Sequence, residues 1–200
     1  AVKHGIPVYQ PIKIRADESV AYLAGIEADV IVVVAFGQII PKSILEMKKY
    51  GCINVHASLL PKYRGAAPIQ WAVIEGEKES GVTIMQMDEG LDTGDMIAKV
   101  IVPLDEKETS ESLFDKLAAA GAKLLVDTLP SVADRTAVYE KQPIESTTAY
   151  AGMIKKQMGL IDWDRSAVEI ERWVRGMNSW PSAYTKLDGK TLKIWTSHVE

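Results

Sequence analysis

The sequence predicts an α/β fold: a Rossmann-like, open and mostly parallel sheet flanked by helices, followed by the start of a small β-barrel-like C-terminal domain. Three observations predict it. Residues 28–35, ADVIVVVA, are continuously apolar and rich in β-branched side chains, as in a strand covered on both faces by helices. Strand-like and helix-like segments alternate from there to Gly76. Near the carboxyl end, AYTKLDGKTLKIW sets two strand-like runs around Asp188-Gly189, a strong hairpin signal.

Each element follows in order. Residues 19–26 read as a short helix before the apolar strand. Phe36-Gly37-Gln38 is a turn, and Pro41 suits the first turn of a helix reaching about residue 49. Gly51 breaks that helix, and residues 53–57 form the next strand. Residues 67–75 read as a helix closed by Gly76. The pattern then changes. Residues 82–87 and 96–102 are strands with no room for a helix between them, so the polar loop DEGLDTGD joins a hairpin-type pair. Residues 110–129 form a helix, with Phe114, Leu117, Ala118, Gly121, Leu124 and Leu125 on one side and Pro130 ending it. Residues 133–149 are polar and irregular. Ser166 and Glu169 make a capping-box pattern that opens a helix striped with Ile170, Trp173, Val174 and Met177. The expected division is a catalytic domain over 1–132, a linker over 133–154 and a partial second domain over 155–200. One helix and one hairpin are too little for a β-domain core of its own.

Composition narrows the class. With 47% apolar and 25% charged residues, the 200-residue chain is globular rather than disordered. Its formal charge of −4 excludes a basic nucleic-acid module overall, though not a local basic patch. The longest apolar run, residues 30–36, is too short to span a bilayer. The single cysteine, Cys52, lies in an apolar strand and reads as a packing thiol, which fits a reducing, cytoplasmic setting. Histidines at 4, 56 and 198 do not make a ligand set, and no metal is expected.

The stretch GCINVHASLLPKYRGAAP holds the chemistry. Asn54 and His56 are two apart on a strand, so both side chains point to one face. In open α/β sheets ligands bind beyond the carboxyl ends of such strands. A buried polar pair satisfied by backbone is the plainer reading of Asn-x-His alone. The loop DEGLDTGD adds four acids, with glycines at 90 and 94 that let backbone approach a ligand. Asp92 is the candidate to face His56, where it would stabilise the imidazolium and fix its orientation. Asn54 and His56 would then hold a developing oxyanion, as acyl transfer without a covalent intermediate requires.

The run NVHASLLPKYRGAAPIQW, followed by GVTIMQMDEGLDTGDM, resembles the folate-dependent formyltransferases, and most closely those acting on methionyl-tRNA. GLIDW, SWPSAYTKLDG and LKIW extend the resemblance over most of the chain. It implies 10-formyltetrahydrofolate as donor, the α-amine of initiator methionyl-tRNA as acceptor, and a second domain that helps hold the tRNA. It places the family motif on Asn54, His56, Ser58, Leu59, Leu60 and Pro61, with the family's acid at Asp92. It lines the folate pocket with Phe36, Gly37, Gln38, Ile39 and Ile40, and completes the pteridine site with backbone of Asp88, Glu89, Gly90 and Leu91. The family opens with a strand, a helix, a strand and a basic loop that are not found ahead of Ala1, so residues upstream are expected. A monomer is expected. Glycinamide ribonucleotide, an amino sugar or water remain alternative acceptors, and a folate-binding module without catalysis is the alternative of another class. Arg64 has two readings, a surface loop residue or a contact to phosphate or ribose at the acceptor end. The five tryptophans read mostly as core or interdomain packing rather than base-stacking platforms.

Overall fold

The two sequence stretches singled out above become neighbouring strands. In a computed structural model describing residues 1–200, β1 (Ile31–Val33) pairs in parallel with β2 (Cys52–His56), Val33 opposite Asn54. β2 pairs antiparallel with β3 (Glu79–Gln86), and β3 with β4 (Met96–Pro103), giving the order β1-β2-β3-β4. The open α/β sheet is therefore present, with its parallel part confined to β1 and β2. Loop 88–95 contains no crossover helix, so β3 and β4 can only run antiparallel.

Alternation along the strands decides what each face does. Ile31, Val33 and Cys52 face α1 (Asp17–Ala24) and α2 (Lys42–Leu45), packing with Val20, Leu23 and Ile44. Val32 and Val34 point the other way and stay exposed, because β1 is the edge strand. Within residues 1–200 this run is therefore covered on one face. α2 is also a single turn rather than a helix to residue 49, with Pro41 preceding its first residue and Glu46 already leaving helical geometry.

On β2, Ile53 and Val55 turn toward α4 (Ser110–Ala133), which lies across β3 and β4. α4 opens with a reciprocal cap between Thr109 and Ser112. Its buried stripe is Leu113, Leu117, Gly121, Thr128 and Val132. Phe114, expected in that stripe, lies one position off it and is exposed. Gly121 permits the close approach: a Cβ there would sit 3.0 Å from Val55 Cγ1. Pro130 does not end the helix, which continues to Ala133. The carbonyl it leaves without a helical donor belongs to Val126, which is on the exposed face.

α3 (Pro68–Ile74) carries the connection to the carboxyl-terminal part. It packs against α5 (Ala167–Gly176), which is capped reciprocally by Ser166 and Glu169. Ala67 and Ile74 share one core with Ile154, Ile161, Val174, Met177 and Ala183. The hairpin β5 (Ala183–Leu187) and β6 (Lys190–Ile194) closes the fold as a separate two-stranded sheet. No helix is long and apolar enough to cross a membrane.

Candidate active site

β2 delivers Asn54 and His56 on the face opposite α4, both buried. His56 Nε2 lies 3.0 Å from the carbonyl oxygen of Tyr63. A carbonyl only accepts, so Nε2 carries the proton in this bond. His56 Nδ1 faces Asp92 Oδ1 at 3.8 Å. The imidazole is therefore held between a carbonyl and a carboxylate. Nε2 is thus committed to the Tyr63 carbonyl, and Nδ1 is the nitrogen left for proton chemistry.

The Ser-Leu-Leu-Pro turn exists to place that carbonyl. Ser58 Oγ donates to the Lys62 carbonyl at 2.6 Å, and Thr83 Oγ1 donates to the Ser58 carbonyl at 2.7 Å. Thr83 Oγ1 in turn accepts from Leu60 N–H at 3.1 Å. Leu60 is sealed against Met85 and Met96, and Leu59 lies over Gly81. Tyr63 then takes a left-handed backbone, φ 55°, and its hydroxyl donates to Glu77 at 2.8 Å. Burial, reinforced by Glu77, pushes the Tyr63 phenol far above its ordinary range.

Asp92 arrives from the loop between β3 and β4, also left-handed at φ 55°. Its Oδ2 accepts from Gly65 N–H at 2.8 Å, leaving Oδ1 for His56. Asn54 differs from both neighbours. Its side-chain amide makes no hydrogen bond to any group of the chain, although the residue is only 9% exposed. Only Ser80 Oγ is both fully buried and unpartnered, so the Asn54 amide atoms still reach solvent and are open to a ligand from that side.

The residues expected around the folate divide into two groups. Phe36, Ile39 and Leu91 present exposed apolar side chains. Asp88 and Glu89 help line an open cavity of about 500 Å³ with Gly51, Gln86 and Met87. Asp88 Oδ1 accepts from Gly90 N–H at 2.9 Å, which shapes the acidic loop. The others shape the surrounding backbone, Gly37 and Gln38 while themselves exposed. Gln38 Oε1 accepts from Ile14 N–H at 3.0 Å, Gly37 supplies a left-handed turn beside it, and Ile40 packs against the α1–α2 core. Ser58, Leu59, Leu60 and Pro61 form the turn scaffold. The exposed apolar side chains and the unpartnered Asn54 amide fit a flat heterocycle carrying an acyl oxygen.

Sequence reasoning missed a second set of residues. Arg64 is neither on the surface nor free for phosphate. It is 8% exposed, and its guanidinium donates to Gln142 Oε1 and to the carbonyls of Pro143 and Ile144. The segment read as a linker lacks regular structure but lies across the site. Tyr150 stacks over Gly65, where a Cβ would meet its Cζ at 2.7 Å. Burial, and then the charge of Asp92, raise the Tyr150 phenol above its usual value. The polar, irregular composition of this segment gave no signal of these contacts. The tryptophans also depart from expectation. Trp71 and Trp173 pack and donate to the carbonyls of Gly152 and Met158, but Trp163, Trp180 and Trp195 are more than half exposed. They belong to the small hairpin region, which offers little surface to cover them.

Comparison with known proteins bears on the family and the fold. The family model described as formyl transferase matches residues 2–129, and that described as formyl transferase, C-terminal domain, matches residues 153–200. A methionyl-tRNA formyltransferase of Agathobacter rectalis is 61% identical over 199 residues, all of this chain and 64% of that relative. The chain thus spans under two thirds of that relative's length. A 4-N formyltransferase structure from Francisella tularensis shares the fold, with a TM-score of 0.78 at 24% identity over 95% of this chain and 77% of that one. An N-formyltransferase from Helicobacter canadensis, in complex with folinic acid and dTDP-3-aminofucose, aligns with a TM-score of 0.66 at 25% identity, over 80% of this chain and 58% of that one.

Proposed function

The chain belongs to the formyl transferase family, and on that premise we propose that it transfers the formyl group of 10-formyltetrahydrofolate to the α-amine of initiator methionyl-tRNA, in translation initiation. The observation that carries the reading is the unpartnered Asn54 amide beside an imidazole held between Tyr63 and Asp92. The choice of acceptor is supported by the Agathobacter rectalis relative. The proposal includes a monomeric, cytoplasmic enzyme that needs no metal.

When bound, 10-formyltetrahydrofolate supplies an acyl carbon whose leaving group is an amine nitrogen. The Asn54 amide donates to the formyl oxygen as it gains negative charge. One such donor is worth about 2.7–4 kcal/mol. His56 Nδ1 holds the proton released by the attacking amine and returns it to the departing nitrogen. Asp92 stabilises the imidazolium during that interval, and the Tyr63 carbonyl keeps the ring from turning. No acyl-enzyme is needed. Burial pushes the Cys52 thiol up to about 11, and the Ser58 hydroxyl is occupied by the Lys62 carbonyl. Alignment of two bound substrates supplies up to about 7–11 kcal/mol of the rate.

The test is tetrahydrofolate release by the full chain, with charged initiator tRNA, glycinamide ribonucleotide, an amino-sugar nucleotide and buffer compared as acceptors. Turnover only with charged tRNA is expected. Turnover with another acceptor would reassign the substrate, and tight folate binding without turnover would leave a binding module.

A further inference from the structure

The two groups that grip His56 share an unusual property. Tyr63 supplies the carbonyl at Nε2 and Asp92 the carboxylate at Nδ1, and both sit at φ 55°. Neither is glycine. A tyrosine holds a left-handed backbone only where the surroundings enforce it, and an aspartate adopts it more readily. Each is tied down by one side chain of the segment that crosses the site. Thr148 Oγ1 accepts from Tyr63 N–H at 2.7 Å. Gln142 Nε2 donates to the carbonyls of Asp92 at 2.9 Å and Gly94 at 2.8 Å. Gln142 is itself fixed by Arg64, whose Nε and Nη2 reach its Oε1 at 3.0 and 2.9 Å. Arg64 precedes Gly65, whose N–H holds Asp92 Oδ2, so the contacts close a ring. The segment is pinned beyond both ends of this stretch, by paired bonds between Glu140 and Met96 and by the bonds from Ala151 N–H to Arg64 and from Ala67 N–H to Ala151.

We propose that Gln142 and Thr148 are positioning residues for the reaction: Gln142 sets the carboxylate side of the imidazole and Thr148 the carbonyl side. The proposal rests on the reading of His56 as the group that handles the proton. Neither residue touches the imidazole, so each acts through the backbone it restrains. Arg64 is the fixed post of the arrangement. Its guanidinium meets only neutral acceptors in its hydrogen bonds.

The experiment compares the full chain with Gln142→Ala, Thr148→Val and Thr148→Ser. Thr148→Val keeps the shape and removes the acceptor, whereas Thr148→Ser keeps a hydroxyl. For Gln142→Ala and Thr148→Val, kcat is expected to fall about 10- to 100-fold, with the KM for 10-formyltetrahydrofolate changed less than about twofold. Thr148→Ser should recover most of the rate. A second readout needs no turnover: the ring-nitrogen NMR signals of His56 in 15N-labelled protein. The wild type should show a single tautomer protonated at Nε2, and the two disruptive variants should show mixed tautomers. If kcat and the tautomer are unchanged while only melting temperature falls, the segment is merely structural and the proposal is overturned. If the wild type does not formylate methionyl-tRNA but the tautomer shifts as described, the proposed acceptor fails and the positioning role stands.

Discussion

Asp92→Asn is the most informative single change. Asparagine is close in shape, tolerates a left-handed backbone, and keeps an oxygen for Gly65 N–H. It removes one thing, the negative charge 3.8 Å from His56 Nδ1. At that distance two unit charges interact by about 4 kcal/mol at an effective dielectric constant near 20, and by about 1 kcal/mol in bulk water. The two side chains are 6% and 15% exposed, so the larger figure applies. Each 1.36 kcal/mol is tenfold in rate, so kcat should fall by about 10²–10³. The assay is the initial rate of tetrahydrofolate release at saturating donor and charged initiator tRNA, with thermal melting as the control for folding. KM for the donor should hold within about twofold, because Asn54 and the apolar surface are untouched. A loss of less than about fivefold in a normally folded variant would refute the reasoning, since it is what a solvent-screened pair gives.

Other expectations follow from packing and charge. Gly65→Ala should destabilise the protein by about 1–3 kcal/mol in urea unfolding, because φ is 127° and the new Cβ would lie 2.6 Å from the Ala151 carbonyl oxygen. Cys52 is fully buried with its thiol pushed up to about 11, so iodoacetamide at pH 8 should leave it unlabelled in the native protein and label it readily in urea. Burial works against the charged form of Glu108, but Lys116, Ser112 and Asp105 N–H outweigh it and hold the carboxyl below its ordinary range. The stability this supplies is present above the unfolded value near pH ~4.3 and is lost as pH falls through the lower folded one. Glu108→Gln should therefore unfold more easily at pH 7, with the gap to wild type closing below pH ~4 in denaturant titrations.

The fold was legible wherever one short pattern determined one element. The Asn-x-His strand, the Ser166–Glu169 capping box and the Asp-Gly hairpin each specify local backbone chemistry, and each forms as read, while the β-branched run forms a shorter strand, Ile31–Val33. Errors arose where the outcome depends on distant neighbours. Whether Pro130 ends a helix depends on which carbonyl it strands, and whether Phe114 is buried depends on how α4 lies on the sheet. The site divides the same way. Asn54 and His56 followed from strand periodicity, and Asp92 from a glycine-flanked acid. The contacts of Arg64, and Gln142, Thr148 and Tyr150 altogether, were invisible because their partners lie on other segments, and a polar irregular stretch looks the same whether it floats or grips.

The grip has a consequence in time. The bond between Tyr63 and Thr148 spans 85 residues, and that between Arg64 and Gln142 spans 78. A ribosome adds residues in order, so a growing chain carries Asn54, His56 and Asp92 well before the segment that completes their cradle has emerged. The sheet can assemble first, since β2, β3 and β4 follow one another closely. Loop closures of this length come late and are slow. The reacting groups are thus made early and aligned last. A nascent chain arrested near residue 130 should hold the chemistry's residues without their geometry, and it should gain a single His56 tautomer only as residues 140–151 become available.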